Sequence, residues 1–194
     1  MVIDTSALED QALPGQENKP LILNNSKKLP PDGLNRILIR GTNWIGDAVM
    51  TLPAVVSVRA TYPKAHLAIL AKPPVTDIYR LFSAADEIIP YENKFDTPLG
   101  VLRLAYTLRL KKFNAAILLQ NAIEAAIISL VAGIRVRAGY NSDGRGFLLT
   151  HAIRRTEDIF KVHQIDYYLE MVKALGCADV GRAMHLETYI SPAT

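Results

Sequence analysis

The chain has 194 residues, 49% of them hydrophobic, with a formal net charge of +3 and a pI near 9.0. That apolar content fills one sizeable domain, and a single cysteine, Cys177, excludes an internal disulfide framework and a Cys-rich zinc site and agrees with a reducing compartment. The basic excess is mild and spread along the chain, so no nucleic-acid partner is expected, since one would require a clustered basic stripe with aromatics.

Residues 1–34 carry Pro14, Gly15, Pro20, Pro30, Pro31 and Gly33 with Asn and Ser between them. They read as a leader of low regular structure, although "LILN" at 21–24 could pack. The N-terminus lacks the basic start and apolar core of a signal peptide. From residue 35 the chain alternates. "RILIR" (36–40) is a first strand, followed by the loop "GTNWIGDAV" (41–49) and a helix through about Thr61. Pro63 stops that helix by forcing the preceding residue out of the helical region. "HLAILA" (66–71) is a second strand, broken by Pro73-Pro74, and a short helix runs to Phe82. "DEIIPY" (86–91) is a third strand. Residues 98–112 are a helix, with Leu99, Leu102, Ala105 or Tyr106, and Leu110 at helical spacing.

"NAAILLQ" (114–120) is a fourth strand, and a helix from about Ala122 to Ala132 closes on Gly133 as a C-cap. "RVRAGY" (135–140) is a fifth strand, "NSDGRG" a turn, and "HQIDYYLEMVKALG" (163–176) a last amphipathic helix. The 20 residues from Ala115 to Ile134 are mostly apolar, but Gln120, Asn121, Glu124 and Ser129 interrupt them. A membrane-spanning helix would bury all four in hydrocarbon. A strand, a polar turn and a helix are expected there instead, in a soluble protein.

Short apolar runs alternating with helices of 10–15 residues indicate βαβ units and a parallel sheet covered on both faces. The expected fold is α/β, a doubly wound Rossmann-like domain over 35–180, with 181–194 leading away from it. In such sheets sites form beyond the carboxyl ends of strands, where the 41–49 loop, "LQNAIE" and "GYNSDGRG" all lie. The first loop has no G-x-G-x-x-G and no G-x-x-x-x-G-K-[ST], so both nucleotide fingerprints are missing. Gly41 allows a sharp exit from the strand, and Gly46 an unusual backbone angle or a close approach. Proline is tolerated in a first helical turn, so Pro53 puts the helix start near Thr51, or a turn earlier with a local distortion. Asp47 then sits at or just before the helix N-terminus. It is either a cap or a base that accepts a proton from an incoming hydroxyl. Trp44 is either a partly buried anchor or a stacking platform for a sugar or ring.

The stretch "ILIRGTNWIGDAVMTLPAVVSVRATYPKAHLAILA" resembles the opening of the ADP-heptose:lipopolysaccharide heptosyltransferases, glycosyltransferase family 9, of the heptosyltransferase II type. The match is to the W-x-G-D core, with Thr42 and Asn43 before the Trp. "LLQNAIEAAIISLVAGIRVRAGYNSDGRGFLLTHAI" resembles the family's second stretch and "HQIDYYLEMVKALG" its H-x-x-x-x-Y-L helix. The resemblance covers about residues 36–176 in order. It implies a GT-B enzyme with two Rossmann-like domains across a cleft, this being the N-terminal, acceptor-side one. The implied acceptor is the lipopolysaccharide core, and the donor is ADP-heptose held by a C-terminal domain absent from this chain. The family's loop Asp, the proposed general base, maps onto Asp47. The implied chemistry is an inverting transfer with no metal and no cofactor, in the cytoplasm, with peripheral contact at the inner membrane face. The chain ends at Thr194, where the family begins its linker and second domain, and 181–194 reads as that linker's start. The competing expectation is a non-catalytic sugar- or partner-binding α/β module.

Substrate contacts are expected from Thr42, Asn43, Trp44 and Gly46 on the loop. Asn121 is a hydrogen-bonding group for sugar hydroxyls or a turn residue. Lys72, Arg137 and Arg145 are contacts for an anionic acceptor or solvated surface charges. His163 is a ligand contact or, at the start of the last helix, a helix-end or packing residue. His66, His151 and His185 show no metal-ligand spacing with one another or with Cys177.

Overall fold

The computed structural model describes residues 27–81, 84–95 and 97–182. Six strands form one sheet: β1 (Arg36–Arg40), β2 (His66–Ala71), β3 (Glu87–Pro90), β4 (Ala115–Leu118), β5 (Val136–Tyr140) and β6 (His151–Ile153). Their order is β3-β2-β1-β4-β5-β6, and every pair is parallel. β1 is central: Ile37 stands opposite Leu67 of β2 on one side and Ala115 of β4 on the other. Five helices cover the sheet: α1 (Ile45–Thr61), α2 (Pro73–Arg80), α3 (Pro98–Leu110), α4 (Ile123–Val131) and α5 (Gln164–Ala174). This is the expected α/β class.

The pleat sends alternate strand residues to opposite faces. Ile37, Ile39, Ala115 and Ile117 join one core cluster with Leu52 and Val55 of α1 and Met171 and Val172 of α5. Leu38, Ala116 and Leu118 join a second cluster with Leu104 and Leu108 of α3 and Ala126 of α4. Both strand faces are therefore buried, which is why these strands are apolar at every position. The 115–134 stretch divides into β4, a turn and α4, and no described helix is long and apolar enough to cross a membrane.

Two expectations need correction. α1 starts at Ile45, well before Thr51 and slightly beyond the earlier turn that was the alternative, so Pro53 lies inside the helix. The Ala48 amide already donates to the Trp44 carbonyl at 2.9 Å, and one turn beyond the loop the proline removes only the donor for the Val49 carbonyl. β6 had no strand signal. It is three residues long, and it exists because the Arg137 amide reaches the Thr150 hydroxyl (2.8 Å) and the edge of β5 is free to pair.

Residues 27–34 contain no helix or strand, yet Leu29 and Leu34 are buried in the first core cluster. The Leu29 amide donates to the Leu175 carbonyl (2.9 Å), and the Tyr62 hydroxyl donates to the Pro30 carbonyl (2.9 Å). The earlier part of the leader, including 21–24, and the linker residues from 183 on lie outside the described residues.

Burial raises several acidic groups of this core. It pushes the Tyr62 and Tyr168 hydroxyls up to about 12 and the Cys177 thiol up to about 11, and it raises Tyr79 and Tyr140 as well. The folded state then holds protons that the unfolded chain releases near 10.0 for Tyr and 9.0 for Cys. Their contribution is complete below those values and is lost as pH rises through the folded ones. We expect the urea midpoint to fall steadily between pH 9.0 and about 12, with the urea slope unchanged. A flat midpoint across that window would contradict the burial of these hydroxyls.

Candidate active site

The connections that leave β1 and β4 enclose a cleft of roughly 260 Å³ at the carboxyl end of the sheet. Thr42, Asn43, Trp44 and Asp47 line it from the β1 side, Leu119, Gln120 and Asn121 from the β4 side, and Gln164 and Tyr168 from α5. Helices α1, α4 and α5 all begin at this cleft. Their first N–H groups and positive dipole ends favour negative charge there.

Asp47 lies in the first turn of α1, half-buried, one residue before the buried Ala48. The N-cap residue is Trp44, which makes no side-chain cap bond. Among the described residues Asp47 makes no hydrogen bond and no ion pair, so the capping alternative is left without its bond. Its carboxylate adds to the burial that holds the Tyr168 hydroxyl protonated up to about 12. Gln164, one turn earlier on α5, lines the same cleft. The cleft thus combines an uncommitted carboxylate with a neutral phenol and amide side chains. A carboxylate can take a proton from an entering hydroxyl while the phenol and amides orient its neighbours.

The loop is held from beneath. Arg40 is buried, and its guanidinium donates to the carbonyls of Gly41 (2.8 Å) and Leu70 (3.2 Å) and to Asn43 Oδ1 (3.2 Å). The Tyr79 hydroxyl bonds Thr51 Oγ1 (2.9 Å), which donates to the Ala48 carbonyl (2.6 Å). Gly41 is required by this packing, because a Cβ there would stand 2.9 Å from the Tyr79 ring. Gly46 differs from its expected reading: its φ is not positive and a Cβ would meet nothing within 4 Å. Trp44 is not a buried anchor, since it is 76% exposed at the mouth of the cleft. Arg40, Tyr79, Gln164 and Tyr168 were missed in the sequence. Tyr168 was within reach, as the tyrosine of the H-x-x-x-x-Y-L stretch; the other three carry no local signal.

Arg145 is fully buried and is no surface contact. The Ser142–Arg145 turn has positive φ at Asp143 (50°) and Gly144 (72°), and it folds the guanidinium back under the cleft. There it donates to the carbonyls of Tyr140 (2.9 Å), Leu118 (3.4 Å), Ala122 (3.4 Å) and Gln120, and to Asn121 Oδ1 (3.4 Å). Asn121 lines the cleft but is tied at both ends, since its Nδ2 also donates to the Tyr167 hydroxyl (3.0 Å). Arg137 sits near the start of β5, away from the cleft, pinned to the carbonyls of Leu148 (2.7 Å) and Ile134 (2.6 Å). Lys72 is the N-cap of α2, with its ammonium over the Tyr91 ring (5.7 Å), and it does not line the cleft. His163 is the N-cap of α5, its Nδ1 accepting from the Ile165 amide (3.2 Å). Among the described residues no group of three or more His, Cys, Asp or Glu could hold a metal ion.

Arg145→Met should therefore lower stability by about 2–4 kcal/mol in urea melts, because several buried carbonyls lose their donor. A solvated or ligand-only arginine predicts a melt unchanged within about 0.5 kcal/mol.

Residues 101–187 match the sequence model of glycosyltransferase family 9 (heptosyltransferase). The chain is 29% identical over 125 residues to lipopolysaccharide heptosyltransferase 2 of Salmonella typhimurium, a match covering 60% of this chain and 34% of that protein. It superposes on the structure of ADP-heptose lps heptosyltransferase II from E. coli with a TM-score of 0.61 and 26% identity, over 71% of this chain and 40% of that one. A glycosyl transferase family 9 crystal structure from Veillonella parvula has the same fold, with a TM-score of 0.71 and 18% identity over 84% of this chain and 47% of that one. The chain spans about a third of the length of the curated relatives it matches. The resemblance to family 9 is thus borne out for a part of the family's length, with a heptosyltransferase-like fold.

Proposed function

We propose, from the premise that this chain is similar to glycosyltransferase family 9 (heptosyltransferase), that residues 35–180 are the acceptor-side domain of a GT-B glycosyltransferase. It moves a heptose from ADP-heptose to the lipopolysaccharide inner core on the cytoplasmic side. Asp47 removes the proton from the acceptor hydroxyl as that oxygen attacks the anomeric carbon, which inverts, and ADP departs. No metal takes part. The donor binds mainly to a second domain reached through the linker that begins at about residue 181.

The observation that carries this reading is the free carboxylate of Asp47 in the cleft between β1 and β4. A sugar hydroxyl there has a base, and the amides of Asn43, Gln120 and Gln164 and the phenol of Tyr168 as orienting groups. Three helix N-termini suit the phosphates and carboxylates of an anionic acceptor. Trp44 offers an exposed ring face on which a sugar stacks.

In a polypeptide that joins this domain to its nucleotide-sugar domain, Asp47→Asn should lower turnover by about 10²–10⁴-fold with acceptor affinity little changed. Asn caps a helix about as well as Asp, so normal turnover in Asp47→Asn would return Asp47 to a structural role. For the chain as it stands, calorimetry should detect no tight ADP binding. Micromolar ADP affinity would overturn the assignment of this domain to the acceptor.

A further inference from the structure

We infer that Asn43 and Asn121 are specificity-determining amides of the cleft, each held with its N–H edge toward the ligand by a buried arginine, and that Arg40 and Arg145 are positioning residues acting through them. The inference rests on the sugar-binding reading given above. Asn43 lines the cleft from the connection after β1 and Asn121 from the connection after β4. A side-chain amide can meet a ligand with its oxygen, which accepts, or with its nitrogen, which donates. The two orientations have nearly the same shape, so the surroundings decide between them. Here they do. Arg40 is 3% exposed and Arg145 is fully buried, and a guanidinium carries donors only. The amide atom that meets it must be the oxygen. Asn43 Oδ1 accepts from Arg40 Nη2 (3.2 Å) and Asn121 Oδ1 from Arg145 Nη2 (3.4 Å). A flipped amide would set N–H against N–H and leave buried donors unpaired, which is costly.

Neither arginine is free to swing away. Arg40 also donates to the carbonyls of Gly41 and Leu70, and its guanidinium lies over the Tyr91 ring (5.0 Å). Arg145 is held by the carbonyls of Tyr140, Gln120, Ala122 and Leu118. With the oxygens committed, the nitrogens are what the cleft can offer. Asn43 Nδ2 makes no hydrogen bond among the described residues, so both its hydrogens remain. Asn121 Nδ2 gives one hydrogen to the Tyr167 hydroxyl (3.0 Å) and keeps the other. The same device therefore operates on two walls built from segments distant in sequence. It reads oxygen acceptors of the ligand, such as hydroxyl lone pairs or a carboxylate, while Asp47 stands ready for the one hydroxyl that gives up its proton. A sugar that places an ammonium against either amide meets N–H groups and is rejected.

The test is an NMR titration of the isotope-labelled chain with deacylated lipopolysaccharide core oligosaccharide, following the side-chain amide signals of Asn43 and Asn121. Both signals are expected to move on binding. Asn43→Asp keeps an oxygen toward Arg40 but replaces the N–H edge with a second oxygen. It should melt as cooperatively as the unmodified chain and bind the oligosaccharide about 10–100-fold more weakly. Arg40→Met should also weaken binding, and adding Asn43→Ala to Arg40→Met should cost nothing more, because the arginine acts through that amide. Losses that add would overturn the positioning role of Arg40. If Arg40→Met fails to fold, Asn43→Asp and the two amide signals decide. Oligosaccharide binding that leaves both signals in place, or that Asn43→Asp does not impair, overturns the inference and leaves the acceptor assignment standing. No binding by the unmodified chain overturns that assignment and the inference with it.

Discussion

The chain leaves β1 and β4 toward opposite faces of the sheet, and the rest of the site follows from that divergence. Parallel strands need a crossover for every return, and here the crossovers are helices. α1, which follows β1, packs into the cluster that holds α5, while α4, which follows β4, packs into the cluster on the far side with α3. Two neighbouring strands whose exits diverge cannot close the gap between them, so a crevice persists at their carboxyl ends. The crevice is lined by whatever residues leave the strands, which puts Asp47 and Asn121 within one site although they are far apart in sequence.

That crevice needs a firm rim, and two buried arginines supply it. Beyond the carboxyl end of a strand, carbonyl oxygens have no ladder partner, and burying them unpaired is costly. Arg40 serves the Gly41 carbonyl and adds a second donor to that of Leu70, which also accepts from the Gly41 amide; Arg145 serves the Leu118 and Gln120 carbonyls and adds a second donor to those of Ala122 and Tyr140, which also accept from the Ala125 and Ser142 amides. A guanidinium presents five donors in a rigid fork, so one side chain can bind several carbonyls at once. Burial lowers the Arg145 pKa to about 10, which leaves it charged at neutral pH. Glycines complete the arrangement: Gly41 makes room for Tyr79, and Gly139 lets the Arg145 guanidinium approach, since a Cβ there would stand 3.2 Å from Nη2.

The two helical layers have different outer surfaces because they answer to different neighbours. α1 has eight buried residues and meets α5, α2 and the sheet, so little of it faces water. α3 and α4 meet the sheet and each other, and their outward residues are apolar and basic. Apolar residues on both stripes of a helix do not distinguish a core position from an exposed one; only the packing does.

The alternation of short apolar runs with helical stretches determined the fold class, five of the six strands, all five helices and the place of the cleft at the strand ends. Those signals are local: strand and helix periods, prolines and glycines act within a few residues. The position of Asp47 at the start of the helix after β1 was legible for the same reason, whereas the W-x-G-D motif was read from the family resemblance. β6 was not, because three residues carry no period and the edge of β5 created the strand. The start of α1 was open between Thr51 and a turn earlier and lies at Ile45, because Pro53 in an interior turn costs one hydrogen bond that the packing of Leu52 and Val55 offsets. Arg145 looked like a surface ligand in the sequence. Its role was decided by the left-handed turn at Asp143 and Gly144, which aims it inward at carbonyls up to 27 residues away. Trp44 had two open readings, and only the tertiary structure chose the exposed one. Burial and hydrogen-bond partners across the sheet are sums over residues distant in sequence, and no local window contains them.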